Sequence, residues 1–309
     1  MQSASQHQGA TRLGVAAIAL WAILASLTAL AGPVPPFQLT AMTFAIGAAV
    51  GLVYARVTGQ SLAVLRTVPL GALALGVYGL LGFHVCYFFA LQRAPALEAS
   101  LIVYLWPLLI VLLTSLLPAG LGGERLRWWH VAGAILGFAG SAMLAWTVPA
   151  SGSDLMGRGG SWLGYGLAFA AALIWSTYSV GLRLFAKVPS AGVIASCAVT
   201  ALGAAALHLA TEQWMWPHSA SAWLAIIGLG LGPTGLAFYL WDDGMKRGNM
   251  RLLGVLSYAT PLASTLIMTG LGLGQANTAL WLATLLITTG ALLAGSGATL
   301  FTSKEKRPE

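Results

Sequence analysis

Tyr104-Leu105-Trp106-Pro107 and Ser257-Tyr258-Ala259-Thr260-Pro261 each set a proline in the middle of a long apolar run. Tyr104 and Tyr258 lie 154 positions apart, and so do Pro107 and Pro261. The same offset relates Trp21 to Trp175, Arg93 to Arg247 and Gly76 to Gly230. Five matches at one offset mark an internal repeat. Proline supplies no N–H, so the carbonyls four residues back, on Val103 and Ser257, lose their helical partners. In hydrocarbon those carbonyls need a replacement from water, solute or side chain. Matched helix breaks in two repeats point to a binding site between them; a kink buried by neighbouring helices is the other reading of either proline alone.

Outward from these stretches the chain stays apolar. Of its 309 residues, 58% are hydrophobic, 7% are charged and 38 are Gly, whereas a soluble domain carries roughly 25% charged residues. That composition excludes a soluble enzyme, a disordered chain and a disulfide-stapled module. A bilayer-crossing helix needs roughly 20 apolar residues. Ten runs qualify: Leu13–Gly32, Pro36–Val57, Val68–Leu91, Ala96–Leu117, Trp128–Val148, Ser161–Phe185, Ser190–Thr211, Trp223–Trp241, Leu252–Leu273 and Thr278–Phe301. The expected fold is an all-α integral membrane protein with ten transmembrane helices. Residues 1–12 form an N-terminal tail, 13–148 a first five-helix repeat, 149–160 a Gly- and Ser-rich linker, 161–301 a second repeat and 302–309 a C-terminal tail. Five is odd, so the second repeat enters the membrane upside down, the arrangement of many secondary transporters.

The net charge of +7 reads as membrane orientation rather than nucleic-acid binding. With the N-terminus inside, all but Arg93 and Arg158 of the 15 Lys and Arg fall on the cytoplasmic side, which places both termini in the cytoplasm and the linker in the periplasm. The first run is longer than a signal-peptide core and is expected to be retained. Cys86 and Cys197 lie inside apolar runs, where Cys behaves as a small hydrophobe.

Three tryptophans, Trp21, Trp106 and Trp175, fall at mid-bilayer depth, with Tyr78, Tyr104, Tyr178 and Tyr258. Their N–H and O–H groups need partners that lipid does not offer, so they are expected to face the bundle interior. There they form either a wall for a flat amphipathic solute or an aromatic packing core. The remaining tryptophans, Trp241 among them, fall at span ends or in loops, as in interfacial belts. The third and eighth spans carry matched glycines (Gly76, Gly79, Gly82; Gly228, Gly230, Gly232, Gly235, with Pro233), which suit close helix approach or bending. Glu98 opens the fourth span, where it either stabilises the helix N-terminus or meets a substrate ammonium or a proton. His84 is a deep histidine of the third span, read as a satisfied core group or a titrating one. Asp242 and Asp243 read as local ion-pair partners of Lys246, Arg247 and Arg251. Small-residue spacings at Gly133, Gly137 and Ser141 fit helix packing or dimerisation. No HExxH, GxSxG, P-loop or ligand-spaced Cys/His set occurs, so no catalytic residue, metal or cofactor is expected.

The tryptophan-bearing first helix of each half (Trp21-Ala22; Leu173-Ile174-Trp175-Ser176-Thr177-Tyr178), the Tyr-x-x-Pro elements and the Gly123-Glu124-Arg125-Leu126 turn together resemble the drug/metabolite transporter superfamily, in its ten-helix EamA-type branch. The resemblance spans about residues 13–301; the second half departs from it at Gly274-Gln275-Ala276-Asn277. Ala96-Leu97-Glu98 before Tyr104-Leu105-Trp106-Pro107, with Arg247-Gly248-Asn249, resembles the aromatic amino acid exporters of that branch. It implies a helical basket around a central cavity and export of Phe, Tyr and Trp across the bacterial inner membrane by alternating access. On that reading Tyr78, Tyr104, Trp106, Trp175 and Tyr178 stack on the substrate ring. Ser257 and His84 meet its polar backbone, Glu98 is a gate or a proton or ammonium partner, and Pro107 and Pro261 are the helix breaks. The implied partners are a small-molecule amino acid and the bilayer, with no nucleic acid, and the chain is a monomer or homodimer. Export of another metabolite or drug, and a non-transporting scaffold, are the competing readings.

Overall fold

A computed structural model of the chain describes residues 2–123, 125–146, 162–270 and 278–300. Among the described residues the chain forms ten long helical stretches. They are α1 (2–31), α2 (Pro36–Val57), α3 (Leu70–Leu91), α4 (96–116), α5 (Trp128–Trp146), α6 (Trp162–Phe185), α7 (Ser190–Thr211), α8 (Ala220–Arg247), α9 (250–270) and α10 (Thr278–Leu300). The stretches α1 to α4 and α6 to α8 are each long and apolar enough to cross a bilayer. The fold is therefore that of an all-α multi-pass membrane protein. The expected linker, the C-terminal tail, Glu124 and the 274–277 segment lie outside the described residues.

One boundary differs from the sequence reading. Residues 2–12, expected as a tail, are helical and continue directly into α1. His7 Nδ1 lies 2.8 Å from the Arg247 carbonyl, and the Asn249 amide donates to Thr11 Oγ1 at 3.0 Å, so the segment docks on the α8–α9 turn. That contact supplies the tertiary anchor that its polar sequence gave no sign of. The small-residue face of α5 is used inside the chain: Gly133 approaches Gly290, Gly137 lies against Tyr258, and Ser141 Oγ reaches the Tyr258 carbonyl at 3.5 Å.

The packing repeats as the sequence does. Helices α5 and α10, α2 and α7, and α4 and α9 each pack against their own counterpart, and α1 on α8 mirrors α6 on α3. The inversion is visible in α2 and α7, which run antiparallel and cap each other. Glu212, just past α7, accepts the Phe37 and Gln38 amides that open α2, at 3.0 and 3.1 Å. At the other end Gln60, just past α2, accepts the Ala191 amide that opens α7, at 2.8 Å. Phe37 and Ala191 are 154 positions apart. Each cap satisfies amides that a helix start leaves without partners.

Two further irregularities keep the same offset. A π-helical turn interrupts α3 at Tyr78–Gly82, and another interrupts α8 at Gly232–Leu236. In the latter Thr234 Oγ1 donates to the Leu229 carbonyl five residues back, at 2.9 Å. The fourth helix of each repeat is broken before its proline: α4 between Val103 and Trp106, α9 between Leu256 and Ala259. Of these four departures, the π-turns of α3 and α8 and the break of α4 come together through Phe83, Pro233 and Trp106 on the rings of Trp21 and Trp175, and single π-turns often mark functional positions.

Candidate functional site

Side chains three residues apart share a helix face, and two helices use that spacing here. Trp175 and Tyr178 project from α6, Phe238 and Trp241 from α8. Trp21 of α1, Phe83 at the end of the α3 π-turn, and Trp106, the first residue after the α4 break, complete a ring cluster. Trp175 is its hub, with centroids 5.6 Å from Trp21, 6.1 Å from Trp106, 5.5 Å from Phe83, 5.4 Å from Tyr178 and 6.5 Å from Trp241. Edge-on and tilted arrangements prevail, as ring quadrupoles prefer. The Tyr178, Trp241, Trp175 and Trp21 side chains are buried, while Trp106, Phe83 and Tyr104 are half-buried. The cluster thus has a dense side and a more open one.

The indole donors divide differently. Trp21 Nε1 donates to the Pro233 carbonyl at 2.9 Å, and Trp241 Nε1 to Ser179 Oγ at 3.1 Å. The indole N–H groups of Trp106 and Trp175 have no hydrogen-bond partner among the described residues. The site therefore offers ring faces together with two donors that are not spent on the protein, a combination suited to an aromatic solute carrying an acceptor.

His84 extends the ring cluster along α3. Its ring packs edge-on against Phe44 and Phe83 at 5.2 and 5.3 Å, and Nδ1 lies 2.6 Å from the Leu80 carbonyl. Tyr87 stacks on Phe83 at 5.7 Å and its hydroxyl reaches Ser100 of α4 at 3.5 Å. Of the residues expected from sequence, the structure gathers Trp106, Trp175, Tyr178 and His84 in this contact network, with Tyr104 at the adjoining break.

Others go elsewhere. Tyr78 is 43% exposed and its hydroxyl lies 3.0 Å from Thr177 Oγ1, on a different face of α6 from Trp175. Ser257 is buried with its hydroxyl on the Leu253 carbonyl at 2.7 Å, and its own carbonyl accepts the Thr260 amide at 3.1 Å. A tight turn has thus replaced the bond that Pro261 removes, so the expected free carbonyl at Ser257 is absent. Pro107 is buried, not turned outward. Glu98, exposed at the start of α4, receives the Tyr165 hydroxyl of α6. Tyr258 packs against Gly137 and Phe138 of α5, away from the ring cluster.

Sequence reasoning missed Trp241, Phe83 and Phe238. Trp241 is fully buried rather than at an interface, because α8 continues six residues beyond it to Arg247. The Phe238–Trp241 spacing was the available signal. Beyond Trp241 the same helix carries buried charges. Asp242 pairs with Lys246 at 2.8 Å, and Asp243 pairs with Arg247 and accepts the Tyr54 hydroxyl. The local pairing expected of these acids holds for Lys246 and Arg247. Arg251 instead reaches across to Thr114 Oγ1 at 3.1 Å and the Arg125 carbonyl at 3.2 Å.

The sequence model of the EamA-like transporter family matches residues 10–146 and again 162–296, the two repeats in turn. An aromatic amino acid exporter YddG of Ancylobacter novellus is 49% identical over 295 residues, 93% of this chain and 97% of that protein. The aromatic amino acid exporter YddG of Salmonella typhimurium is 26% identical over 93% of this chain and 96% of its own. A biotin transporter of Salmonella typhimurium is 24% identical over 246 residues, 77% of each chain. A solved crystal structure 46% identical in sequence superposes with a TM-score of 0.86, covering 96% of this chain and 100% of the other.

Proposed function

The chain belongs to the EamA-like transporter family, and from that premise we propose that it exports amino acids, aromatic ones foremost, by alternating access between its two repeats. The observation that carries the reading is the ring cluster built on Trp175 and Trp106, whose indole N–H groups are unspent. It lies where the α4 break and the π-turns of α3 and α8 converge. The substrate ring stacks among Trp106, Trp175 and Phe83, with Tyr178 beneath. Its carboxylate takes the indole donors, and His84 and Tyr104 bound the polar side of the site. Ring pairs contribute roughly 0.5–1.5 kcal/mol each beyond area burial, which suits a transporter that must release its cargo. Tyr78, turned to Thr177, and Ser257, tied to Leu253, are left out of this assignment.

In this reading both termini face the bacterial cytoplasm. Among the described residues, Lys and Arg gather at the end of the bundle that carries the N-terminus, with Arg93 alone at the other, and the positive-inside bias supports that orientation. Glu98 and Tyr165 then lie at the periplasmic mouth as a hydrogen-bonded gate between α4 and α6. The names of the YddG relatives support the cargo class. The biotin transporter relative favours a second reading, in which the site takes another amphipathic metabolite.

The deciding experiment uses purified protein in liposomes with labelled phenylalanine, tyrosine and tryptophan, competed by a panel of amino acids and by biotin. Protein-dependent flux competed by aromatic amino acids is expected, with Trp106→Ala and Trp175→Ala impaired at undiminished membrane expression. Normal flux in both variants would remove the site assignment, and competition by biotin alone would favour the second reading.

A further inference from the structure

The buried charges at the end of α8 have no part in the reading above. Asp242 and Lys246 lie one turn apart, 2.8 Å between Oδ2 and Nζ, and are only 1% and 5% exposed. Ser190 Oγ, at the start of α7, donates to the same Asp242 oxygen at 2.6 Å, and Lys246 Nζ also donates to the Val188 carbonyl at 2.9 Å. An ion pair withdrawn from water stabilises a fold little or not at all relative to apolar residues of the same shape. Packing therefore gives no reason for two opposite charges here.

Their position does. A narrow cavity of about 20 Å³, space for roughly one water, runs beside the pair. Its wall runs from Tyr178 and Gly76 to Val188 and Pro189. Tyr178 is also a member of the ring cluster, 5.4 Å from Trp175. Trp241, the residue before Asp242, belongs to that cluster as well, 5.0 Å from Trp21. The pair thus stands across the line from the rings to the end of the bundle that carries the N-terminus. Everything beyond the π-turn at Gly232–Leu236 shares one helical segment, so ring and charge move together if that segment swings. The equivalent stretch of α3 carries no ion pair: the positions matching Asp242 and Lys246 are Phe88 and Gln92, and residues 81–89 of α3 are half-buried.

We propose that the Asp242–Lys246 pair closes the cytoplasmic mouth and is the subsite that receives an incoming zwitterion, whose ammonium replaces Lys246 at Asp242 and whose carboxylate replaces Asp242 at Lys246. This rests on the amino acid export reading. When the mouth opens, Asp242 loses the Ser190 hydroxyl and Lys246 loses the Val188 carbonyl, which leaves both charges under-satisfied in a poorly hydrated site, where a charge short of partners is costly. A zwitterion carries both complementary charges a few bonds apart and compensates the two at once. A lone amine or a lone acid compensates only one. The pair therefore selects the headgroup on entry, before the rings take the side chain and the indole donors take the carboxylate.

Two measurements test the proposal separately. In a Cys86→Ser/Cys197→Ala background, Ser196→Cys places a thiol on the cavity wall, and a membrane-impermeant maleimide is applied from the cytoplasmic face. Asp242→Asn and Lys246→Met are expected to raise the labelling rate by about tenfold or more. The charge-swapped Asp242→Lys/Lys246→Asp restores slow labelling, and Ser190→Ala, which removes a single hydrogen bond, gives a smaller rise. An equal labelling rate in Ser190→Ala and whichever of the charge variants fold overturns the gate, whatever the cargo. In the second measurement, phenylalanine, phenethylamine and phenylpropionate compete for cytoplasmic-side flux. The unaltered protein prefers phenylalanine; Asp242→Asn loses its preference over phenylpropionate, and Lys246→Met its preference over phenethylamine. Unchanged preferences overturn the headgroup assignment. An absence of amino acid flux in the unaltered protein overturns the cargo reading and the headgroup assignment with it, and leaves the labelling result to judge the gate.

Discussion

The indole N–H of Trp21 donates to the carbonyl of Pro233 at 2.9 Å, tying the middle of α1 to the π-turn of α8. The equivalent bond in the other repeat would join Trp175 to Gly79. It is not made: the Trp175 N–H has no partner among the described residues, and the flank of Gly79 is occupied by the Tyr178 ring. Equivalent tryptophans thus hold unequal contacts, an asymmetry that the alternating-access reading proposed above calls for.

Trp21→Phe keeps the ring and leaves the buried Pro233 carbonyl without its donor. A loss of about 1–2 kcal/mol of stability is expected, read as a lower thermal midpoint in detergent. Trp175→Phe removes an unspent donor, so its midpoint changes less while amino acid binding weakens. Equal shifts in the two midpoints would contradict the assignment of their N–H groups.

Gly79→Ala drives a methyl group into the Tyr178 ring. Overpacking of this kind costs about 1–3 kcal/mol. Tyr178→Ala in the same chain should recover part of that loss, and a thermal scan of the two single variants and the double variant measures the coupling.

Glu212→Gln keeps an acceptor over the Phe37 and Gln38 amides and removes the charge, while Glu212→Ala removes both. The expected losses are about 0.5 and about 1–2 kcal/mol, ordered Ala above Gln. Hydrogen exchange at the first turn of α2 locates the effect.

Pro107→Ala restores an amide to the break in α4, permitting a regular helix there. Flux is expected to fall severalfold without loss of thermal stability. Flux equal to the unaltered chain would detach the break from the transport cycle.

Much of this architecture was legible in the sequence because hydrocarbon forces every backbone group to find a partner within its own helix. Length and apolarity then suffice to place the spans, and a constant offset of 154 between Tyr104 and Tyr258 suffices to fold the chain in two. The prolines revealed broken helices, and the matched glycines of α3 and α8 revealed irregularity there, though not that it takes the form of π-turns. Rotation about each helix axis was less legible. Tyr78 and Tyr178 are both deep, yet only Tyr178 faces Trp175, since a run that is apolar all round carries no moment to orient it. Trp241 was misplaced because the buried charges after it resemble a solvated helix end. Their burial depends on partners such as Ser190, Val188 and Tyr54, brought in by other segments of the chain.

The reciprocal capping of α2 and α7 also constrains what can travel. Each holds the other's first turn, at Phe37 by Glu212 and at Ala191 by Gln60, so axial sliding in either direction would strip amides at both ends simultaneously. On the alternating-access reading proposed above, this clamped pair is the stator about which α1, α3, α6 and α8 would rock, and sensors meant to report the stroke belong on those four helices, referenced to this beam.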